Sequence, residues 1–310
     1  MIYTVTLNPA LDKTVEIPSL KVDAVNRITS IRTDPGGKAI NVSKVIRELG
    51  RESIATGILG GSTGRTICAA LDAMGIRNSF RFVEGETRTN LKVIDPVNHT
   101  NTDLNEPGVT VSKEILDDLL GELARKAGEG DIVVLSGSLP KGAPQDTYGG
   151  WVRAFRNAGA KVVLDVDGAL LEAGIKESPC LIKPNEHELS ALMGEKLSSP
   201  AELAEASRAL MERCGIEKVV VSMGADGALY VTERETLYAE GLKVPVKSTV
   251  GAGDSVVAAL AVSEEAGSSL EDTIRLSTAC GAANVMCSGT QAAKYDVIRE
   301  LIPRVVFRRL

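Results

Sequence analysis

At 310 residues, 44% of them hydrophobic and 25% charged, the chain is long enough for one large soluble core with a small appended unit. A net charge of -6 and a pI near 5.3 argue against nucleic acid, which calls for a basic face, so any basic site has to be local. The five cysteines stand singly, without metal or disulfide spacing, and with only two histidines a carboxylate is the better candidate for a catalytic base.

Residues 1–7, Met1-Ile2-Tyr3-Thr4-Val5-Thr6-Leu7, read as a buried strand with no charged and apolar leader before it. No apolar run approaches membrane-spanning length, so the expectation is a cytoplasmic protein that meets no membrane. The strand exits through Asn8-Pro9-Ala10-Leu11-Asp12, and exits of this kind present ligand-binding groups in α/β proteins, which marks Asp12. From Thr14 to Thr33, β-branched residues broken by Pro18 and Asp23 predict short antiparallel strands outside the main sheet.

A glycine turn, Pro35-Gly36-Gly37-Lys38-Ala39-Ile40-Asn41, then feeds an amphipathic helix with Val42, Val45, Ile46 and Leu49 on one face. Gly36 and Gly37 allow close approach to a ligand, and Lys38 and Asn41 add a charge and an amide; the alternative is a plain turn with a solvated lysine. A strand at 54–59 and a helix at 62–74 follow. The segment from Thr87 to Leu104 carries a hairpin signature around Asp95-Pro96-Val97-Asn98-His99, and with the patch at 14–33 it predicts a small sheet inserted twice into a βα succession.

Beyond it, helices at 112–127, 146–158, 185–193 and 200–214 alternate with strands at 131–135, 161–165, 180–183 and 218–222, which implies a mostly parallel, doubly wound sheet. A turn at Met223–Gly227 leads to edge strands near 228–231 and 236–238, and helices from 253, 270 and 292 close the fold. Met286, Cys287 and Cys280 are expected to pack within the second of these helices, and Arg304, Arg308 and Arg309 to form a solvated face.

The most informative stretch is Ser248-Thr249-Val250-Gly251-Ala252-Gly253-Asp254-Ser255. It joins a tight glycine turn to a helix start, where free amides and the helix dipole favour phosphate, and it places Asp254 beside them. Asp254 also fits a simple helix-capping acid. No Gly-x-x-x-x-Gly-Lys-Ser/Thr loop is present, and Gly-x-Gly-x-x-Gly fails at Val256, so phosphate binding has to use another device.

The pair Gly36-Gly37-Lys38-Ala39-Ile40-Asn41-Val42 and Thr249-Val250-Gly251-Ala252-Gly253-Asp254-Ser255 resembles the two signatures of the ribokinase-like, PfkB-type carbohydrate kinases. Between them, Lys183-Pro184-Asn185-Glu186-His187-Glu188 is similar to that family's lysine-proline-asparagine strand exit and Asn-x-x-Glu magnesium motif. Ser222-Met223-Gly224-Ala225-Asp226-Gly227 resembles its nucleotide turn. The opening Thr4–Asp12, Val25-Asn26-Arg27 and Ser136-Gly137-Ser138-Leu139-Pro140 resemble its phosphosugar-kinase branch, which holds 1-phosphofructokinase and tagatose-6-phosphate kinase.

The resemblance implies a three-layer αβα sandwich with a small β-sheet lid. Residues 1–11, 36–85 and 108–310 would form the kinase domain, and 12–35 and 86–107 a lid that pairs two subunits as a homodimer. It implies ATP and Mg²⁺, with Asp254 as the base and the amides of Gly251, Ala252 and Gly253 on the transferred phosphate. Asp12, Gly36, Gly37, Asn41 and Ser138 would line the sugar; Lys38 and Arg88, with Arg27 as a further candidate, would hold its phosphate. Lys183, Asn185, Ser222, Gly224, Gly227, Ser248 and Thr249 would meet the nucleotide, and Asn185 and Glu188 the metal, although Glu188 also fits an ordinary helix-start acid.

Ala39, Val250 and Ala259 depart from the family's usual glycine, threonine and glycine. The resemblance points first to fructose 1-phosphate as substrate, then tagatose 6-phosphate or fructose 6-phosphate. A non-catalytic phosphosugar or nucleotide sensor on the same fold is the rival of a different class, and a nicotinamide dehydrogenase a distant one.

Overall fold

The computed structural model describes residues 1–310, arranged around two sheets. Strand β1 (Ile2–Thr6) lies in the main sheet, and the chain then leaves it for β2 (Ala10–Glu16) and β3 (Ser30–Gly36), which pair antiparallel. Helix α1 (Lys38–Glu48), β4 (Ser53–Gly60), α2 (Gly61–Ala73) and β5 (Arg77–Val83) belong to the main body again. Strands β6 (Arg88–Asp95) and β7 (Thr100–Asn105) complete a four-stranded small sheet in the order β3-β2-β6-β7.

The rest of the chain builds out the main sheet. It runs through α3 (Lys113–Lys126), β8 (Ile132–Ser136), α4 (Thr147–Asn157), β9 (Lys161–Asp165), α5 (Gly168–Ile175), β10 (Leu181–Ile182), α6 (Glu186–Met193), α7 (Pro200–Cys214) and β11 (Lys218–Ser222). A short turn leads to β12 (Gly227–Thr232) and β13 (Thr236–Glu240), then α8 (Ala252–Ala266), α9 (Leu270–Val285), α10 (Tyr295–Leu301) and β14 (Phe307–Arg309).

The main sheet has the order β14-β13-β12-β11-β10-β9-β8-β1-β4-β5, parallel from β11 to β5 and antiparallel beyond β11. Its central strands carry apolar side chains on both faces, as burial under two helical layers requires. One face packs Val5, Leu135, Leu164 and Val221 under α3 to α7. The other packs Ile2, Val134, Val163 and Val220 under α1, α8, α9 and α10. This is the expected three-layer αβα sandwich. The sequence order reverses between β1 and β8, and the carboxyl ends of β1, β8, β9, β10 and β11 open beside that point, where ligands bind in such sheets.

Several expectations need correction. Strand β5 and helix α5 were not anticipated: β5 is a sheet-edge strand that opens on three polar residues, Arg77-Asn78-Ser79, and α5 is only two turns long. Strand β10 stops at Ile182, two residues before Pro184, which has no N–H to give. The last helix starts at Tyr295, not 292. Met286 and Cys287 lie past the end of α9 rather than within it, but they pack half-buried against the core that holds Cys280. Arg304, Arg308 and Arg309 are exposed as expected, and Arg308 and Arg309 also lie in edge strand β14, with Arg308 over the Tyr238 ring and Arg309 bound to Glu235. The small sheet begins at Ala10, and β2 pairs with β6 in parallel as well as with β3. No helix is long and apolar enough to cross a membrane.

Candidate active site

The site lies where the small sheet meets the carboxyl ends of the main strands. Asp12 on β2 is the register partner of Asn90 on β6, so the two side chains meet, and Asn90 Nδ2 donates to Asp12 Oδ1 at 3.1 Å. Asp12 also fills the space over Gly36, where any side chain would overlap its carboxylate, which explains the first glycine of the turn. Gly37, at φ 115, starts α1 in a conformation that favours glycine. Burial pushes the Asp12 carboxyl up, against the pull of Asn90, Lys44 and Arg88.

Helix α1 carries Asn41 to the opposite side of the site. Its Nδ2 donates to Asp254 Oδ2 at 2.8 Å. Asp254 stands in the first turn of α8, only 7% exposed, and its pKa is pushed up to about 6, first by burial and then by the nearby Asp165 carboxylate. Asn41, Lys38 and Lys183 oppose that rise. Gly251, in the left-handed region at φ 81, turns the chain into α8. The N–H groups of Gly251, Gly253 and Asp254 have no acceptor within the protein, whereas that of Ala252 makes a long bond to Thr249 O at 3.4 Å. Of the three amides expected to be free, two are.

Asp165, at the end of β9, was not singled out from sequence, and it organises the cations. Lys183 Nζ lies 3.2 Å from its Oδ1 and Lys38 Nζ 3.8 Å from its Oδ2, while Ser136 Oγ donates to Oδ2 at 3.0 Å. Burial alone would raise the Asp165 carboxyl, but Lys183 and Lys38 outweigh it and hold it below the usual carboxylate range. Lys38 in turn is held above its usual value: burial would lower it, yet Asp165 and Asp254 prevail. Lys183 also faces the turn of α8, since a Cβ at Gly253 would sit 3.4 Å from its Nζ. Two carboxylates pushed in opposite directions are a mark of acid–base chemistry, with Asp165 kept ionised and Asp254 poised to accept a proton near neutrality.

The remaining expected residues divide. Arg88 opens β6 and its Nη2 donates to Asn8 O at 3.0 Å, while its Nε is buried without a partner. Asn41 Oδ1 and Asn90 Oδ1 are buried and unpaired too, and such a concentration of unsatisfied atoms around Asp12 and Asp254 suits a polar ligand. Ser138 is exposed in the turn after β8, where its Oγ accepts from Asn8 Nδ2 at 3.2 Å. Arg27 is exposed on the connection between β2 and β3, away in sequence register from Asp12. Asn8 was given no role of its own in the sequence, and Asn90 was not singled out; Asn90 follows Arg88 at a spacing of two on one strand, which was the available signal.

Among the residues expected to meet the nucleotide, Ser222 N donates to Pro184 O at 3.0 Å, bringing the turn after β11 against Pro184. Gly224, at φ 58, has open space beside it, but Gly227 is packed against the Ala239 and Glu240 backbone, which gives it a packing task. Ser248 Oγ accepts from Val250 N at 3.2 Å, and Thr249 is exposed. Asn185 and Glu188 form a capping box on α6: Asn185 Oδ1 accepts from Glu188 N and Glu188 Oε2 from Asn185 N, each at 2.9 Å. That leaves Glu188 Oε1 without a protein partner. No three acids, cysteines or histidines converge as a direct metal cage.

Comparison with known proteins agrees with this geometry. The family model described as pfkB family carbohydrate kinase matches residues 5–296. The 1-phosphofructokinase of Xanthomonas campestris is 38% identical over 308 residues, covering 98% of this chain and 96% of that protein. The 1-phosphofructokinase of Bacillus subtilis is 37% identical over 312 residues, covering all of both. Phosphofructokinase-2 of Escherichia coli, solved in complex with fructose-6-phosphate, superposes with a TM-score of 0.91 at 29% identity, covering 98% of each chain. With a match over nearly its whole length and a ribokinase-like fold, this chain belongs to the pfkB family of carbohydrate kinases.

Proposed function

We propose that the chain transfers the γ-phosphate of ATP to the 6-hydroxyl of fructose 1-phosphate, giving fructose 1,6-bisphosphate and ADP. The observation that carries the chemistry is Asp254, a buried carboxylate with its pKa raised to about 6, placed in the first turn of α8 beside unpaired amides. The sugar is argued from the 1-phosphofructokinases that match the chain from end to end.

Asp254 accepts the hydroxyl proton as the O6–P bond forms and the bond from the γ-phosphorus to the bridging oxygen breaks, releasing ADP. The N–H groups of Gly251, Gly253 and Asp254, with the α8 dipole, take the charge spread over the phosphoryl oxygens. Lys183, held at Gly253 by Asp165, adds positive charge on the leaving side. Asp12, Asn41 and Asn90 orient the sugar hydroxyls, and Lys38 and Arg88 hold the phosphate it already carries. Gly224, Ser248 and Thr249 line the nucleotide.

The acids present fit Mg²⁺ held through water rather than directly, because the capping box occupies Asn185 Oδ1 and one oxygen of Glu188. Bound near Glu188 Oε1, the ion would neutralise charge on the ATP phosphates.

The small sheet is assigned to a lid and to pairing of two subunits. Ile31 and Leu104 on its strands, and Val22, Val25 and Ile28 on the connection between β2 and β3, are exposed apolar side chains that pairing would cover. A panel of fructose 1-phosphate, fructose 6-phosphate, tagatose 6-phosphate and fructose with ATP, scored by kcat/KM, tests the function. Fructose 1-phosphate is expected to lead; a higher value for another sugar would move the assignment to it, and no turnover of any would favour a sensor.

A further inference from the structure

Lys44 is a buried charge that the proposed chemistry does not use. It lies on α1, 7% exposed, and its Nζ donates to two backbone carbonyls from distant parts of the chain, Pro35 O and Thr290 O, each at 2.9 Å. Burying an ammonium is costly unless it is paired and hydrogen-bonded, so its placement reflects what it joins. Burial pushes it down to about 8, against the attraction of Asp34, Asp12 and Asp254.

Both partners connect to opposite sides of the site. Pro35 is next to Asp34, the register partner of Asp12, and precedes Gly36, over which the Asp12 carboxylate lies. Thr290 belongs to the connection between α9 and α10. Asn284 Nδ2 donates to Gln291 O at 3.2 Å in that connection, and its side-chain oxygen lies where a Cβ at Gly251 would come within 3.5 Å. Val285 O accepts from Lys247 N at 2.7 Å and Ser248 N at 3.2 Å, which holds the approach to the same turn. The two segments also touch directly: the Arg32 guanidinium, bound to Asp34 at 2.8 Å, occupies the space beside Gly289.

We propose that Lys44 is a positioning residue that ties the root of the small sheet to the connection behind the phosphate-binding turn, so that the sugar and phosphate sides of the site are set together. The inference rests on the assignment of Asp12 to the sugar and of residues 251–254 to the transferred phosphate. A tie of this kind is reciprocal: if the bound sugar tightens the nucleotide, the nucleotide tightens the sugar by the same factor.

The test is calorimetric binding of a non-hydrolysable ATP analogue, with and without saturating fructose 1-phosphate, to the wild type, Lys44→Met and Lys44→Arg. In the wild type the sugar is expected to tighten the nucleotide by about 5-fold or more, a typical coupling between sites. Lys44→Met should bring that ratio to within about 2-fold of one, and Lys44→Arg, which keeps a donor to both carbonyls, should restore most of it. A merely structural role would lower thermal stability and weaken each ligand while leaving the ratio intact. If Lys44→Met does not fold, Arg32→Ala removes the contact with Gly289 at the same joint and should lower the ratio in its place. An unchanged ratio in the folded variant, or a wild-type ratio of one with both ligands bound, overturns the inference. A wild type that binds no phosphosugar overturns it together with the functional assignment, whereas a loss of coupling confined to the variants supports both.

Discussion

Asn41 Nδ2 donates to Asp254 Oδ2 at 2.8 Å although 213 residues separate the two in sequence. The bond joins the early glycine turn to the late one and fixes the rotation of the carboxylate. Asp254 Oδ1 is left without a protein partner, the oxygen available to a substrate proton. Asn41→Ala should therefore lower kcat more than it raises the KM for ATP, by roughly 10-fold, the scale of one hydrogen bond that orients a base. Steady-state kinetics with each substrate varied in turn would check it, and a pure KM effect would limit Asn41 to binding.

Asp254→Asn separates activity from stability. Removing the proposed base should lower kcat on the order of 100-fold or more, with ATP affinity little changed. The folded pKa of about 6 lies above the ordinary value of 3.8, so between those values the folded protein binds more protons than the unfolded chain. For this group stability therefore falls as pH rises from about 4 to 6, by on the order of 3 kcal/mol. The Asn variant escapes that fall and should gain on the wild type between pH 4 and 7 in urea unfolding. A variant that loses both activity and stability at pH 7 would make Asp254 a structural acid.

Asp165 should show the opposite sign. Its folded pKa is held below the unfolded value, so its contribution is present above the unfolded pKa and is lost as pH falls through the folded one. Asp165→Asn leaves Lys183 buried without its counter-charge and should cost about 3 kcal/mol at pH 7, shrinking toward acid. Unfolding curves at pH 3 and pH 7 test this; an equal deficit at both would exclude the ion pair as its source.

Lys38→Met and Arg88→Ala should raise the KM for the phosphosugar by roughly 10- to 100-fold while ATP affinity hardly moves. Free fructose should be a poor substrate for the wild type and little worse for either variant. Equal losses on both sugars would show that these cations do not read the phosphate.

Gly253 has an ordinary φ, and a methyl there would sit 3.4 Å from Lys183 Nζ without a backbone clash. Gly253→Ala should therefore fold with a melting temperature near the wild type but lose turnover by about 10-fold, since the methyl intrudes where the phosphate approaches. Loss of folding instead would give the turn a structural role.

Local periodicity made the alternation of helix and strand legible, because apolar faces repeat within single elements such as α1 and α3. It failed where the signal was short or mixed: β5 opens on three polar residues, Arg77-Asn78-Ser79, before its apolar ones, and α5 is too short for a helical period to stand out. Glycine turns and strand exits marked Asp12, Lys38 and Asp254. They missed Asp165, whose importance comes from Lys183 beyond β10, Lys38 at the start of α1 and Ser136 at the end of β8 converging on it. They missed Asn90 as well, because its meaning depends on the parallel pairing of β2 with β6. Asn185 and Glu188 show the reverse, a metal signature that the helix also uses as its cap.

The most direct measurement follows the reaction itself, by phosphorus NMR of fructose 1-phosphate and ATP with the wild type and with Asp254→Asn. The wild type should form fructose 1,6-bisphosphate and ADP in equal amounts, and the variant should form neither at a comparable rate. Absence of the bisphosphate with the wild type, or its formation at near-normal rate by Asp254→Asn, would contradict the account.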